Sequence, residues 1–220
     1  MNTAENSSEV ARLNMVERQI RSWEVLDPQV LNVIKSLDRA DFVKDDYKSL
    51  AYADCQIPCG AHAQMLPPVV QGRLLQALHV RKNDSILEIG SGSGYLTSCL
   101  AILGGWVLSV DISEENLVFA RHNTARLGLC NITFEAVNGL SCEYQDCYDA
   151  IAVTGSVEAV PENLKRSLKP GGRLFIIEGR SPLMQALLIT RSGDNAWICQ
   201  SLFETDLPAL QTAHAAARVV

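Results

Sequence analysis

Ile86 to Tyr95 reads ILEIGSGSGY, an apolar run that ends in an acid and opens into three glycines on alternate positions. A glycine turn between a strand and a helix brings backbone N–H groups close to a ligand, because no Cβ blocks the approach. Such a turn holds an anionic or carboxylate-bearing group at the helix N-terminus. Dinucleotide folds place glycines at the first, third and sixth positions, but here Gly94 stands at the fifth and Tyr95 at the sixth. Glu88, just before Gly90, would repel a pyrophosphate and suits an ammonium instead. Asp111 closes the next apolar run, VLSVD, where a carboxylate can accept from both hydroxyls of a ribose. The combination points to S-adenosylmethionine, with a carboxylate, an ammonium and a sulfonium but no phosphate. A nicotinamide or flavin nucleotide, or a turn that serves only tight packing, are the alternatives.

The residues expected to hold this cofactor are Glu88, Gly90, Ser91, Gly92, Gly94, Tyr95, Asp111, Ile112, Asn138 and Gly139. Asn138 either accepts from the adenine amino group through its carbonyl oxygen or belongs to an ordinary Asn-Gly turn. No metal is expected. The pairs Cys55/Cys59 and Cys142/Cys147 lack the spacing of zinc knuckles, and the four histidines stand apart. The seven cysteines, an odd number in ordinary contexts, suit a reducing compartment.

The elements that must position these groups follow from periodicity. A first helix is predicted from Ser8 to Trp23, with Val10, Leu13, Val16, Ile20 and Trp23 at helical spacing. Asp27-Pro28 opens a second helix through Leu37. The stretch DRADFVKDDYKSLAYADCQIPCGAHAQMLPP has no long period and reads as a binding loop. A helix starting near Pro67-Pro68 leads into alternating elements. Strands are predicted at Ser85–Ile89, Trp106–Val110, Ile132–Ala136, Tyr148–Val153 and Arg173–Glu178. Helices are predicted at Tyr95–Leu103, Glu114–Leu127 and Pro161–Leu168. This alternation means a doubly wound, mostly parallel α/β sheet with helices on both faces, Rossmann-like. Segments 186–191 and 197–203 around Ser192-Gly193-Asp194-Asn195 form a hairpin, an antiparallel C-terminal edge. Trp23, Trp106 and Trp197 are assigned to cores or helix seams. Residues 1–79 form a helical cap with the binding loop and 80–220 the Rossmann-like core, together one structural domain.

The formal net charge of −6 and the scattered basic residues argue against nucleic acid as a partner. The N-terminus lacks the pattern of a secretory signal, and no apolar run reaches the roughly 20 residues of a membrane span. A cytoplasmic protein without membrane partners is expected, its oligomeric state open.

Around ILEIGSGSGY, the segments DRADFV, AYADCQIPCG, VLSVD and YDAIAVTGSVEAVPENLKRSLKPGGRLFIIEG resemble the protein-L-isoaspartate O-methyltransferase family in order and spacing. The resemblance covers about residues 12 to 210. It implies a class I methyltransferase fold with an N-terminal helical cap. It also implies an S-adenosylmethionine-dependent O-methyltransferase that esterifies the side-chain carboxylate of isoaspartyl residues in damaged protein and releases S-adenosylhomocysteine. In the family, a Gly-Gln-Thr-Ile-Ser run lies over the methyl donor and the substrate carboxylate. Here Ala63, Gln64, Met65 and Leu66 stand where Gln, Thr, Ile and Ser are usual, so the acceptor is either the isoaspartyl carboxylate or another group, including a small molecule. A cofactor-binding module without turnover is the remaining alternative.

A carboxylate acceptor is ionised at neutral pH and needs no general base, so no catalytic residue is required by chemistry. The candidates in the substrate loop are His62, Gln64, Met65 and Leu66. His62 either orients an acceptor or is an exposed loop histidine. Thr154, after the fourth core strand, either contacts substrate or caps the following segment, and Tyr52 and Asp54 either line the groove or pack the loop.

Overall fold

The computed structural model describes residues 3–60 and 62–211. Helix α1 (Thr3–Asn14) runs into a π-helical turn, Met15–Ile20, and a 3-10 turn, Arg21–Trp23, that stops at Glu24 with a left-handed φ of 62°. The single regular helix predicted from Ser8 to Trp23 therefore changes winding at Met15. The wider turn brings Met15, Val16 and Ile20 into the core, while Val10 and Leu13, expected on the same apolar stripe, stay exposed. In α2 (Pro28–Ser36), the Asp27 carboxylate accepts from the Gln29 N–H at 2.8 Å with proline at the first helical position. The next stretch is the loop the sequence predicts, with short helical turns at Arg39–Phe42 and Asp45–Leu50 and a small antiparallel ladder of β1 (Ile57–Pro58) and β2 (Gln64–Met65). Helix α3 (Pro68–Leu78) is buried along most of its length and packs on α2 and on the central sheet.

That sheet comprises β3 (Ser85–Ile89), β4 (Trp106–Asp111), β5 (Ile132–Ala136), β6 (Tyr148–Val157), β7 (Leu168–Arg180), β8 (Leu183–Gly193) and β9 (Ala196–Thr205). Its spatial order is β5-β4-β3-β6-β7-β8-β9. The first five of these pair in parallel, and β8 and β9 add an antiparallel hairpin. The connecting helices are α4 (Tyr95–Leu103), α5 (Glu114–Ala125) and α6 (Glu162–Ser167). Strands β6 to β9 are longer than their apolar runs suggest, because Arg173–Arg180 pairs with Leu183–Thr190 along its whole length and carries polar residues into the ladder.

The sheet is apolar on both faces. Met15, Ile20, Leu74, Ile86, Tyr95 and Phe175 belong to one buried cluster, so residues of the helical cap and of the sheet share a continuous interior. Leu87, Ile89, Val110, Ile151 and Leu174 pack on the other face with Leu164 of α6. The tryptophans are less buried than expected: Trp106, at the start of β4, is exposed, and half-exposed Trp23 meets Phe203 edge to face at 6.3 Å. No helix among the described residues is long and apolar enough to cross a membrane.

Strand order reverses between β3 and β6. At such a switch point successive connections leave in opposite directions, and a crevice opens at the C-terminal strand ends. Gly94, with φ 80°, carries the chain from β3 into α4, and a Cβ there would lie 2.9 Å from the Ala120 carbonyl oxygen of α5. Gly128 also has a positive φ but nothing within 4 Å of its Cβ position. Gly94→Ala should therefore destabilise the protein by about 1–3 kcal/mol in urea unfolding. Gly128→Ala, which carries strain without a clash, should lose less; equal losses would mean that α4 and α5 are not closely apposed.

Candidate active site

A cavity of about 290 Å³ occupies the crevice. The glycine turn, the ends of β4 and β6, the turn after β5, the cap loop and the segment after β9 all line it. Of the residues the sequence singles out, Glu88, Gly90, Ser91, Gly92, Asp111, Ile112, Asn138, Gly139, Thr154 and the loop residues His62, Gln64, Met65 and Leu66 border this one space.

Two do not. Gly94 turns its Cα toward α5 and serves helix packing. Tyr95 is buried on the far side, edge to face with Phe42 at 5.2 Å and beneath the Arg39 guanidinium, 5.3 Å from its ring centroid. The first residue of α4 thus turns its side chain into the cap core, and neither Gly94 nor Tyr95 borders the cavity that the glycine turn was expected to form with them.

Glu88 also departs from its expected role. Its neighbours in the sheet are Ser109 and Ala152, with α4 above, so its side chain is fully buried. Oε2 accepts from Thr97 Oγ1 at 2.5 Å and Ser109 Oγ at 2.6 Å, and Oε1 has no partner among the described residues. Desolvation outweighs these two bonds and, with the nearby Asp111 charge, pushes the Glu88 pKa up to about 8. The free carboxylate expected at the strand end is a buried, largely neutral acid at pH 7.

Asp111 retains its charge-bearing place at the end of β4. Oδ1 accepts from the Ser113 N–H at 2.9 Å and from Asn116 Nδ2 at 3.1 Å, whereas Oδ2 receives only a long 3.4 Å contact from the Gly92 N–H. One oxygen is saturated and the other is open, so the carboxylate offers one free acceptor oxygen where a symmetric bidentate arrangement was expected. Asn138 Oδ1 accepts from the Leu140 N–H at 3.1 Å, capping the turn and leaving one lone pair. Thr154 Oγ1 donates to the Ile89 and Gly90 carbonyls, each at 3.0 Å, so its hydroxyl secures the strand ends while its side chain borders the cavity. His62 is exposed at the mouth with φ 57°.

Three contributions were not read from the sequence. Asn116, in the first turn of α5, fixes Asp111 and stands where a Cβ on Gly60 would collide, 2.0 Å from Asn116 Oδ1. Gln71 borders the cavity from α3, and the only signal for it is a polar residue on a helix face that otherwise reads as core. The segment Leu207–Gln211 forms a further wall. Ser156 holds it through the pair Ser156 N–H to Pro208 carbonyl, 3.0 Å, and Leu210 N–H to Ser156 carbonyl, 2.9 Å. A side chain at Gly155 would meet Leu210 at 2.9 Å. Residues 212–220 of the C-terminal stretch lie outside the described residues.

The ionisation of Glu88 gives a pH dependence with a defined sign. Its folded pKa, about 8, lies above its ordinary value of 4.5. Between those values the folded state holds more protons than the unfolded chain, so the stabilisation present below pH 4.5 is lost progressively as pH rises through about 8. Glu88→Gln should flatten this part of the stability–pH curve and raise the melting temperature relative to the parent at pH 8.5. Parallel curves for the two proteins would place the titration elsewhere.

A family model for protein-L-isoaspartate(D-aspartate) O-methyltransferase matches residues 11–206. A protein-L-isoaspartate O-methyltransferase of Magnetococcus marinus is 35% identical over 179 residues, 81% of this chain and 78% of that protein. One from Myxococcus xanthus is 38% identical over 170 residues, 76% and 80% of the two chains. A Plasmodium falciparum structure described as a protein-L-isoaspartate O-methyltransferase in complex with S-adenosyl-L-homocysteine superposes with a TM-score of 0.76 at 22% identity, covering 91% of this chain and 98% of that one. It shares the mixed sheet with its antiparallel C-terminal strands, the class I methyltransferase fold. By the extent of the family match and the identity to these relatives, the chain belongs to the protein-L-isoaspartate(D-aspartate) O-methyltransferase family.

Proposed function

We propose that this enzyme transfers the methyl group of S-adenosylmethionine to a side-chain carboxylate of damaged protein, the isoaspartyl group named for its relatives, and releases S-adenosylhomocysteine. The observation that carries the reading is the Asp111 carboxylate, its Oδ2 holding only one long contact, at the border of a cavity that the glycine turn also lines, in a chain of this family. The residues present fit the cofactor: Gly90 and Gly92 line the cavity with φ of 96° and 50°, and a Cβ on Gly92 would meet only Cys59 Sγ within 4 Å, at 3.5 Å, so the backbone there is open to close approach.

When bound, the sulfonium supplies an electrophilic methyl group. Asp111 Oδ2 would accept from the ribose hydroxyls, and the backbone at Gly90–Gly92 would leave room for the methionyl part. Asn138, with its remaining lone pair, and Gly139 would hold the adenine. Glu88 would face the ammonium of the methionyl part, and a positive charge there would favour its carboxylate form. The acceptor carboxylate is already ionised, so the chain's task is orientation and exclusion of water rather than proton removal. Met65, Leu66, Leu207 and Leu210 supply apolar cavity wall for that exclusion. The reading places the enzyme in the cytoplasm with a protein or peptide acceptor; the seven free cysteines and the acidic net charge support it.

A second reading, a different carboxylate or small-molecule acceptor, is favoured by residues 64 to 66: buried Leu66 and Met65 and exposed Gln64 supply no hydroxyl to the cavity. Calorimetric titration with S-adenosylhomocysteine should show binding, weakened roughly 10- to 100-fold by Asp111→Ala through loss of a charged acceptor. Assay with labelled methyl donor should then give a base-labile ester on an isoaspartyl peptide but not on its aspartyl form. Transfer to other acceptors with none to the isoaspartyl peptide would establish the second reading.

A further inference from the structure

Gln71 is only 3% exposed, yet it stands on α3 among Val69, Val70, Leu74 and Leu75 and borders the cavity. Its Oε1 accepts from Arg39 Nη1. Arg39 is fully buried, and no carboxylate lies within ion-pairing distance of it among the described residues. Its other partners are the Leu66 carbonyl, which accepts from Nη2 at 2.5 Å, and the face of Tyr95; its Nε has no partner. A guanidinium can only donate, so it fixes which end of the Gln71 amide faces it. The oxygen is held toward Arg39. The nitrogen, with two N–H donors, has no hydrogen-bond partner among the described residues and is not among the buried orphaned atoms, which leaves it open to the cavity.

We infer that Gln71 Nε2, backed by the buried Arg39 guanidinium, recognises the carboxylate of the methyl acceptor. The assignment rests on the carboxyl methyl-transfer reading and gives that reading its acceptor subsite. The chemistry selects an anion. A buried cation without a counter-charge raises the local potential, and an amide oriented by it presents donors only. An ammonium would be repelled by Arg39, and a neutral hydroxyl would gain much less from it than a carboxylate does. The same guanidinium also holds the Leu66 carbonyl, so one buried group fixes both the apolar wall and the donor beside it. Gln71 thus supplies the polar contact that residues 64 to 66 do not.

Two substitutions separate recognition from folding. Gln71→Glu keeps an oxygen toward Arg39 and preserves shape, but it turns a carboxylate oxygen toward the cavity in place of the N–H donors. Gln71→Leu removes the donors without adding charge. Protein saturated with S-adenosylhomocysteine is titrated calorimetrically with an isoaspartyl peptide, a measurement that needs no turnover. Affinity for S-adenosylhomocysteine should stay within about twofold of the parent in both variants. Peptide affinity should fall roughly tenfold in Gln71→Leu and further in Gln71→Glu, and in turnover the KM should rise more than kcat falls. Equal peptide affinity in the parent and in either variant that retains cofactor affinity would overturn the inference, as would absence of peptide binding by the parent. Peptide binding that depends on Gln71, without ester formation by the parent, would support the subsite and refute the methyl-transfer reading instead.

Discussion

The geometry of the site depends on one constraint, the close approach of the turn after β3 to its neighbours. A side chain at Gly90 would place its Cβ 2.1 Å from Thr154 Oγ1, so this contact exists only because residue 90 has none. Thr154 in turn donates to the carbonyls at the end of β3, tying β6 to it at the switch point. On the other side the Gly90 N–H donates to the Val110 carbonyl at 2.8 Å, and Asn123 Nδ2 of α5 donates to the Ser93 carbonyl at 2.9 Å. The turn is therefore held from three directions by strands and a helix rather than by a loop of its own. Rigid placement of this kind is what a reaction governed by orientation requires.

Behind the turn lies a polar layer that an apolar core would not contain. Glu88, Thr97, Ser109 and Ser91 are all buried, and Ser109 Oγ donates to Glu88 and also lies 2.7 Å from Ser91 Oγ. Such a network carries a desolvation cost at Glu88 that two hydroxyl donors only partly offset. The cost is tolerable while the acid stays neutral. Burial thus holds in its protonated form a group that looks like a plain anion in the sequence.

Much of the fold and of the cavity wall around the glycine turn is legible in the sequence because both are local. Alternating apolar strands and helices, the glycines from Gly90 to Gly94 and the acid at the end of VLSVD each follow from a few adjacent residues. What is hidden depends on which face a residue turns inward. Helix periodicity cannot show that Tyr95 points into the cap, since that choice is made by Phe42 and Arg39, more than fifty positions away in the chain. Strand alternation likewise gives two faces for Glu88 without saying that α4 closes over one of them. The π-helical turn at Met15 shifts the apolar stripe by a fraction of a turn, so Val10 and Leu13 fall out of register with Ile20. The wall at Leu207–Gln211 is a long-range event: it exists because Gly155 admits Leu210 and Ser156 pairs with the segment on both sides.

The two walls of the cavity have different origins, and this bears on how acceptor choice can vary within the fold. The wall at the glycine turn and Asp111 is built by strand ends whose positions are fixed by ladder hydrogen bonds. There a one-residue change alters pairing on both sides of β3. The opposite wall is built by the cap loop and α3, which join the sheet through side-chain packing and are tied to each other by Arg39, bonded to Gln71 and the Leu66 carbonyl. Substitutions at 63 to 66 can therefore reshape this wall without disturbing Asp111 or the glycine turn, provided that Arg39 keeps an acceptor at each end of its guanidinium. The carbonyl of Leu66 meets that condition whatever side chain residue 66 carries. Gln71 meets it only through its amide oxygen, which is why residue 71, although buried within a helix, is constrained more tightly by the site than the loop residues that face it.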